Sequence, residues 1–224
     1  MKSVLTIPLN TSPEQLIQVK ALQSAFADVC NALAPVVQET RCWNRVALHH
    51  MTYRNLREQF PHIGSQMVCN AIYSVSRMCR IVFQHPNSPW HISKLGDRPL
   101  PGMKFSPTAP VYFDRHTLSL KNGRLSMYTL DGRIHFDINL GSNDEARFHQ
   151  EKLREVVLET VHQGLTLSFH FSAKDGSEIA ETRSGNESGG ELPEYLLVIE
   201  SGDSAFPPAT PSHARRTVAL ASHL

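Results

Sequence analysis

The sequence predicts an α+β fold in which a block of helices is followed by antiparallel strands. Apolar and polar residues alternate from Ala109 to Asn139 through short runs, which is the period of half-buried strands. Between residues 12 and 83, apolar residues instead recur at steps of three and four, the period of amphipathic helices. No run of eighteen apolar residues and no signal peptide occurs, so a cytoplasmic protein without a membrane span is expected.

The chain begins with a predicted edge strand and a capped helix. From Ser3 to Leu9 every second residue is apolar, and Pro8 confines the strand to the edge of a sheet. Ser12 is followed by proline and, three positions later, by Gln15, which is the order of a capping box. An apolar stripe follows and predicts core packing of this helix: Leu16, Val19, Leu22, Phe26, Val29 and Leu33.

Two more helices and a linker are predicted next. The second helix spans Asn44 to Phe60 and the third spans Ser65 to Phe83, with a turn over residues 61–64 between them. Residues 86–110 contain six prolines. Because proline lacks the backbone donor that helices and central strands need, residues 86–108 are predicted to be a linker.

The second half of the chain is predicted to be mostly β-structure and then disordered. Asn122-Gly123 and Asp131-Gly132 supply the positive φ angles of tight turns, so residues 109–139 form a β-meander. Asp144 to Leu158 is only a charged stretch, and Gly164 to Phe171 is a strand. Residues 176–224 are rich in serine, glycine and proline, and Tyr195 to Ile199 is their one plausible strand.

The net charge of +1 is the sum of two oppositely charged halves. Residues 1–139 contain 15 Lys and Arg against 8 Asp and Glu, a net charge of +7. Residues 140–224 contain 7 against 13, a net charge of −6. A nucleic-acid surface is therefore predicted in the basic first half, because the acidic second half would repel phosphates.

Neither a metal nor another cofactor is predicted. His49 and His50 are neighbours on a predicted helix and point to different sides, so they do not form a metal pair. The four cysteines share no C-x-x-C spacing and are predicted to be reduced thiols: Cys30, Cys42, Cys69 and Cys79.

Two stretches carry a family resemblance. Residues 112–134 read YFDRHTLSLKNGRLSMYTLDGRI, and residues 47–80 read ALHHMTYRNLREQFPHIGSQMVCNAIYSVSRMCR. Both resemble the TnpB (OrfB) family of transposon-associated, RNA-guided DNA endonucleases, relatives of the type V CRISPR effectors. The resemblance implies an oligonucleotide-binding-like β-barrel, the wedge domain, from residues 1–10 and 109–175, an inserted three-helix recognition lobe 11–85, the linker 86–108 and a divergent, disordered tail 176–224.

The resemblance also implies partners and site residues. Relatives grip a structured guide RNA with the wedge domain, which places Arg115 and Lys121 at phosphates. Their recognition lobe contacts a short motif in double-stranded target DNA. By position, Tyr53 and Gln66 match that lobe best, with Thr52 and Asn70 as neighbours, although Met51 and Gly64 depart from the pattern.

The residue chemistry agrees with these roles. Gln and Asn amides offer a donor and an acceptor to an adenine edge, and a Tyr ring packs on a sugar or a thymine methyl. Arginine binds phosphates, which position a duplex without specifying its sequence. The predicted phosphate ligands on the two helices are Arg54, Arg57, Arg77 and Arg80.

No nuclease activity is predicted for this chain. The family's RuvC domain opens with a G-V-D-x-G motif, and neither that motif nor the four-cysteine zinc ribbon occurs after Asp175. Two-metal cleavage needs several converging carboxylates, which Glu178 or Glu181 alone cannot supply. The expected function is a binding module for guide RNA and target DNA. The alternative is a degenerate fragment, or a protein-interaction module that complements a nuclease domain on another chain.

Overall fold

A computed structural model of the chain describes residues 2–121, 123–161, 164–172 and 192–200. Its helices are α1 (Pro13–Thr40), α2 (Arg45–Gln59), α3 (Ser65–Gln84), α4 (Ile92–Leu95) and α5 (Ser142–Gln150). Its strands are β1 (Lys2–Leu9), β2 (Gly102–Phe105), β3 (Val111–Phe113), β4 (Leu118–Lys121), β5 (Arg124–Thr129), β6 (Gly132–Asp137), β7 (Lys152–Val161), β8 (Gly164–Ser172) and β9 (Leu196–Ile199).

The helix starts follow from local side-chain capping. Ser12 accepts a hydrogen bond from the backbone N–H of Gln15, and the Gln15 side chain accepts one from the N–H of Ser12, so the predicted capping box is confirmed. Asn44 caps α2 by accepting from the N–H groups of Val46 and Ala47. Arg41 ends α1 in the left-handed region, at φ 52°.

The fold is α+β, as predicted, with antiparallel pairing throughout the described strands. One sheet has the order β1-β8-β7-β3, a second pairs β2 with β9, and a third is the meander β4-β5-β6. Gly123 and Gly132 take φ values of 70° and 116° in the two meander turns, as expected for tight hairpins. The Asn122 half of the first turn lies outside the described residues.

The strands described here do not close into a barrel, which corrects the predicted pairing of the first strand with the meander. β1 pairs along its whole length with β8. Val111–Phe113 was predicted as part of the meander but pairs with β7 instead. The reason is the turn after Phe113, where Asp114 accepts hydrogen bonds from the backbone and hydroxyl of Thr117 and divides the alternating stretch between two sheets.

β7 is the strand that the sequence failed to predict. Its ends are charged and exposed, so Asp144 to Leu158 was interpreted only as a charged stretch. Its centre, residues 156–158, is nevertheless buried on both faces. The long antiparallel hairpin with β8 stabilises it, because cross-strand neighbours supply contacts that local sequence does not show.

The proline-rich segment also differs from the predicted linker. It contains α4 and β2, and Leu100, Met103 and Phe105 are buried in it. The Asn31 side chain of α1 donates to the carbonyl of Phe105 and accepts from its N–H, at 3.0 and 2.7 Å. These two hydrogen bonds replace the ones that a neighbouring strand would make with this edge of β2. On the other edge β2 pairs with β9, which confirms the strand predicted over 195–199; the rest of the predicted tail lies outside the described residues.

Helices and sheets share one continuous hydrophobic core. Phe26 of α1, Met67 of α3, Phe105 of β2 and Phe169 of β8 are among its fully buried side chains. The helical segment 11–85 therefore packs directly on the strands that flank it in sequence. No helix in the described part of the chain combines the length and apolar character that a membrane crossing requires.

Candidate nucleic-acid interface

Helices α2 and α3 form the most basic part of the described structure. Their sequences contain five arginines and one acidic residue, Glu58. They pack side by side through buried residues such as Leu48 and Ile72, which leaves their polar residues at the rim of the contact.

A cleft of about 560 Å³ lies between the start of α2 and α3. Arg45 of α2 lies at its mouth, with its guanidinium carbon 5.4 Å from the centre of the Tyr73 ring. That distance is within cation–π range, so the ring holds the guanidinium at this position. The cleft is lined by Asn44, Arg45, Val46, His49, Gln66, Cys69, Ile72 and Arg80.

Two of the predicted DNA-reading residues lie at this cleft. Gln66 lines it from the first turn of α3 and is half-buried. The Tyr53 ring stacks on His49, another lining residue, with ring centres 4.7 Å apart and an angle of 18° between the planes. The cleft thus brings an amide, an imidazole and an aromatic ring together.

Thr52 and Asn70, the other two predicted DNA-reading residues, are corrected by the structure. Thr52 is buried, and its hydroxyl donates to the carbonyl of Leu48 at 2.7 Å. Asn70 is also buried, and its amide donates to the carbonyl of Tyr112 at 3.0 Å, which joins α3 to β3. Neither side chain is accessible to a base edge, because each lies on the side of its helix that packs against the protein interior.

Arg77 is part of a buried polar cluster between α3 and the four-stranded sheet. It donates to Glu155 of β7 at 2.8 Å, and their side chains are 20% and 12% exposed. Tyr73 donates to the other oxygen of the same carboxylate at 2.8 Å. Burial opposes the charge of Arg77, but the nearby Tyr112 and Glu155 outweigh it and raise its pKa. Arg77 was predicted to bind phosphate, but the structure shows it binding the protein's own carboxylate.

The remaining predicted arginines of α2 and α3 differ in their surroundings. Arg57 donates to the backbone carbonyl of Ile63 and so fastens the α2–α3 turn. Arg54 is 92% exposed, and the ion pair it forms with a described residue is with Glu58 of its own helix, 3.2 Å away. Nine residues separate it from Arg45, so the two point to opposite sides of α2. Arg80 lines the cleft.

The strands of the meander carry three cations, Lys121, Arg124 and Arg133, and one carboxylate, Asp137, which lies directly opposite Arg124. Lys121 of β4 lies directly opposite Arg124 of β5, and both are exposed. Arg133 of β6 is exposed and bonds to Ser126 and to the carbonyl of His116, which ties it to the turn that carries Arg115. Arg115 and Lys121, the two residues predicted to meet RNA phosphates, therefore lie at the surface.

A hydrogen bond joins the turn between α2 and α3 to the meander. The hydroxyl of Tyr128, on the outer face of β5, accepts the backbone N–H of Gly64 at 2.7 Å. A Cβ at Gly64 would lie 3.1 Å from that ring, so the glycine permits the close approach. We call the resulting surface the basic face: Arg45, His49 and Arg80 of the cleft with Arg115, Lys121, Arg124 and Arg133 of the meander.

Sequence reasoning missed Arg45, His49, Arg124 and Arg133. The sequence did contain a signal for Arg45, because this residue directly follows the N-cap residue Asn44 and N-cap residues begin exposed turns. The strand alternation likewise put Arg124 and Arg133 on the polar face of the meander. What the sequence did not contain was the contact between that face and the α2–α3 turn.

The four thiols provide a test of the structure around the cleft. Burial raises the pKa of Cys30 and Cys79 and leaves them inaccessible. Burial also raises the pKa of the half-buried Cys69, an effect partly opposed by Arg45. We therefore expect iodoacetamide to alkylate Cys42 first, Cys69 more slowly, and the two buried thiols only on unfolding.

Peptide mass spectrometry at several pH values would measure these four rates. Because a raised pKa leaves less thiolate at neutral pH, the Cys69 rate should keep rising as the pH is raised above neutrality. Alkylation of Cys30 in the native protein as fast as that of Cys42 would contradict the packing of α1 on α3.

The chemistry available at the basic face is hydrogen-bond donation and positive charge. Its guanidinium, amine and amide groups donate to phosphates and to base edges. Within the part of the chain that the structure describes, no cluster of three or more His, Cys, Asp or Glu side chains is placed to hold a metal ion. Comparison of the chain with protein-family models gave no match, and comparison with curated protein sequences gave none either.

Proposed function

We propose that this chain is a nucleic-acid-binding module that uses the basic face. The observation that carries the proposal is the contact of Tyr128 with Gly64, which joins two basic surfaces that are 64 residues apart in sequence. A surface with an excess of cations matches the negative charge of a phosphate backbone and releases its counterions on binding. Six of the 15 Lys and Arg residues of residues 1–139 belong to the basic face.

The proposed division of labour follows from accessibility. Arg115, Lys121 and Arg124 are exposed and bind backbone phosphates, which sets affinity. Gln66 lies in the cleft, where its amide is placed for a base edge. The resemblance to TnpB proteins suggests a structured guide RNA and target DNA as the ligands, bound without cleavage by this chain.

The test is a salt titration of binding to a labelled RNA hairpin and a labelled DNA duplex. Replacing Lys121 by Ala should weaken binding to both and reduce the slope of log K against log salt by about one. Arg115→Ala should do the same, because each change removes one exposed cation from the basic face.

Arg54→Ala is the matched control for this titration. It removes the same charge, but from the side of α2 that faces away from Arg45, and its partner is a surface glutamate. We expect the slope to stay at the wild-type value. Absence of binding at 50 mM salt, or an equal loss with Arg54→Ala, would refute the basic face and favour a protein-interaction module.

A further inference from the structure

The cleft differs in shape from the rest of the basic face. The outer face of the meander is a sheet surface, whereas the α2–α3 cleft is a concavity of about 560 Å³. Concavities of this size enclose small molecules. A duplex about 20 Å wide can pass over such a cleft but cannot enter it, so only a group that leaves the duplex or hairpin can fill the concavity.

The lining of the cleft matches the parts of one nucleotide. Arg45 supplies a guanidinium group, which pairs with phosphate oxygens. Val46, which is 63% exposed, is an apolar side chain suited to the flat face of a base. Gln66 adds an amide, which donates to and accepts from a base edge at the same time.

Aromatic stacking extends from the cleft wall. His49 lines the cleft and is already stacked on Tyr53. Such a pair is a platform on which an unpaired base continues the stack, and stacking of this kind favours single-stranded over paired bases.

The phosphate-binding end of the cleft is held in place before any ligand arrives. Arg45 lies over the Tyr73 ring at 5.4 Å, and the Tyr73 hydroxyl is bonded to Glu155 at 2.8 Å. Asn44 already uses the N–H groups of Val46 and Ala47 at the start of α2. The Arg45 guanidinium, and not the helix terminus, is thus what an anion would meet here.

We propose that the α2–α3 cleft binds a single unpaired nucleotide, with its phosphate at Arg45 and its base edge at Gln66. The inference rests on the proposed nucleic-acid-binding function and deepens it, because it names an unpaired position of the ligand as the feature that is recognised. The paired parts of the nucleic acid bind instead to the outer face of the meander.

Cys69 lets the experiment report occupancy directly, since its thiol lines the cleft while Cys42 does not. Each of the four nucleoside 5′-monophosphates is titrated against the rate of Cys69 alkylation. At a concentration about nine times its Kd, a bound nucleotide should slow the reaction about tenfold. The Cys42 rate in the same sample should not change, and inorganic phosphate at equal concentration should protect far less.

Three variants locate the contacts. In Arg45→Gln, the nucleotide should no longer protect Cys69. Arg45 partly opposes the effect of burial on the pKa of that thiol, so the alkylation rate of each variant is compared with and without the nucleotide. Gln66→Ala should reduce the difference among the four bases and leave inorganic phosphate unaffected. Arg54→Gln carries the same charge change on the opposite side of α2 and should keep full protection.

The outcomes separate this inference from the proposed function. If the labelled duplex and hairpin bind but no nucleotide protects Cys69, the single-nucleotide site is wrong and the basic face stands. If nucleotides protect Cys69 but neither nucleic acid binds, the cleft stands as a nucleotide site and the proposed function falls. Equal protection by inorganic phosphate would reduce the cleft to an anion site and overturn the inference.

Discussion

Replacing Glu155 by Ala is expected to lower the free energy of unfolding by about 3 kcal/mol, because it removes the carboxylate from a buried ion pair. Arg77 would keep its charge at a site where its side chain is only 20% exposed. Tyr73 would lose its acceptor in the same step, which leaves a second polar group without its present partner. Urea denaturation followed by circular dichroism measures the loss.

Two controls interpret that result. The double replacement Arg77→Met with Glu155→Leu removes both charges together and should return the stability to within about 1 kcal/mol of wild type. Glu58→Ala breaks a pair whose side chains are 92% and 68% exposed, and it should change stability by less than about 0.5 kcal/mol. A Glu155→Ala variant as stable as Glu58→Ala would show that α3 is not fastened to β7 by this cluster.

Phe169→Ala is expected to cost about 4 kcal/mol, the range for removing a fully buried aromatic ring. Phe169 is completely buried in β8, at the centre of the four-stranded sheet, opposite Leu5 of β1 and Val156 of β7. Truncation would leave a cavity that two neighbouring strands cannot close without shifting their register. The same denaturation experiment gives the value.

Phe148→Ala is the matched aromatic replacement. The ring of Phe148 in α5 meets Phe169 edge-on with ring centres 5.3 Å apart, but Phe148 is only partly buried. Because no residue of α5 is buried, losing this ring should release α5 from the sheet at a cost of about 1 kcal/mol and leave the core intact. Equal losses for the two variants would mean that α5 is an integral part of the core.

Much of the local structure could be predicted because its causes lie within a few residues. The capping box at Ser12, the stripes of α1 and α3 and the turn glycines act over one helical turn or one hairpin. Elements stabilised by distant partners could not be predicted in this way. β7 needs β3 on its other edge, and β2 needs Asn31 of α1 and the strand β9; all of these partners lie far away in sequence.

The same distinction between local and distant causes applies to the candidate site. The sequence by itself determined that the first 139 residues are basic, that two helices carry five of their ten arginines, and that Gln66 lies at the start of the third helix. Only the tertiary structure decided that Arg77 faces Glu155 while Arg45 faces the cleft, and that Tyr128 brings the meander to Gly64. The physical reason is that periodicity fixes the side of a helix on which a residue lies, whereas burial and charge partners are fixed by whatever packs against that side.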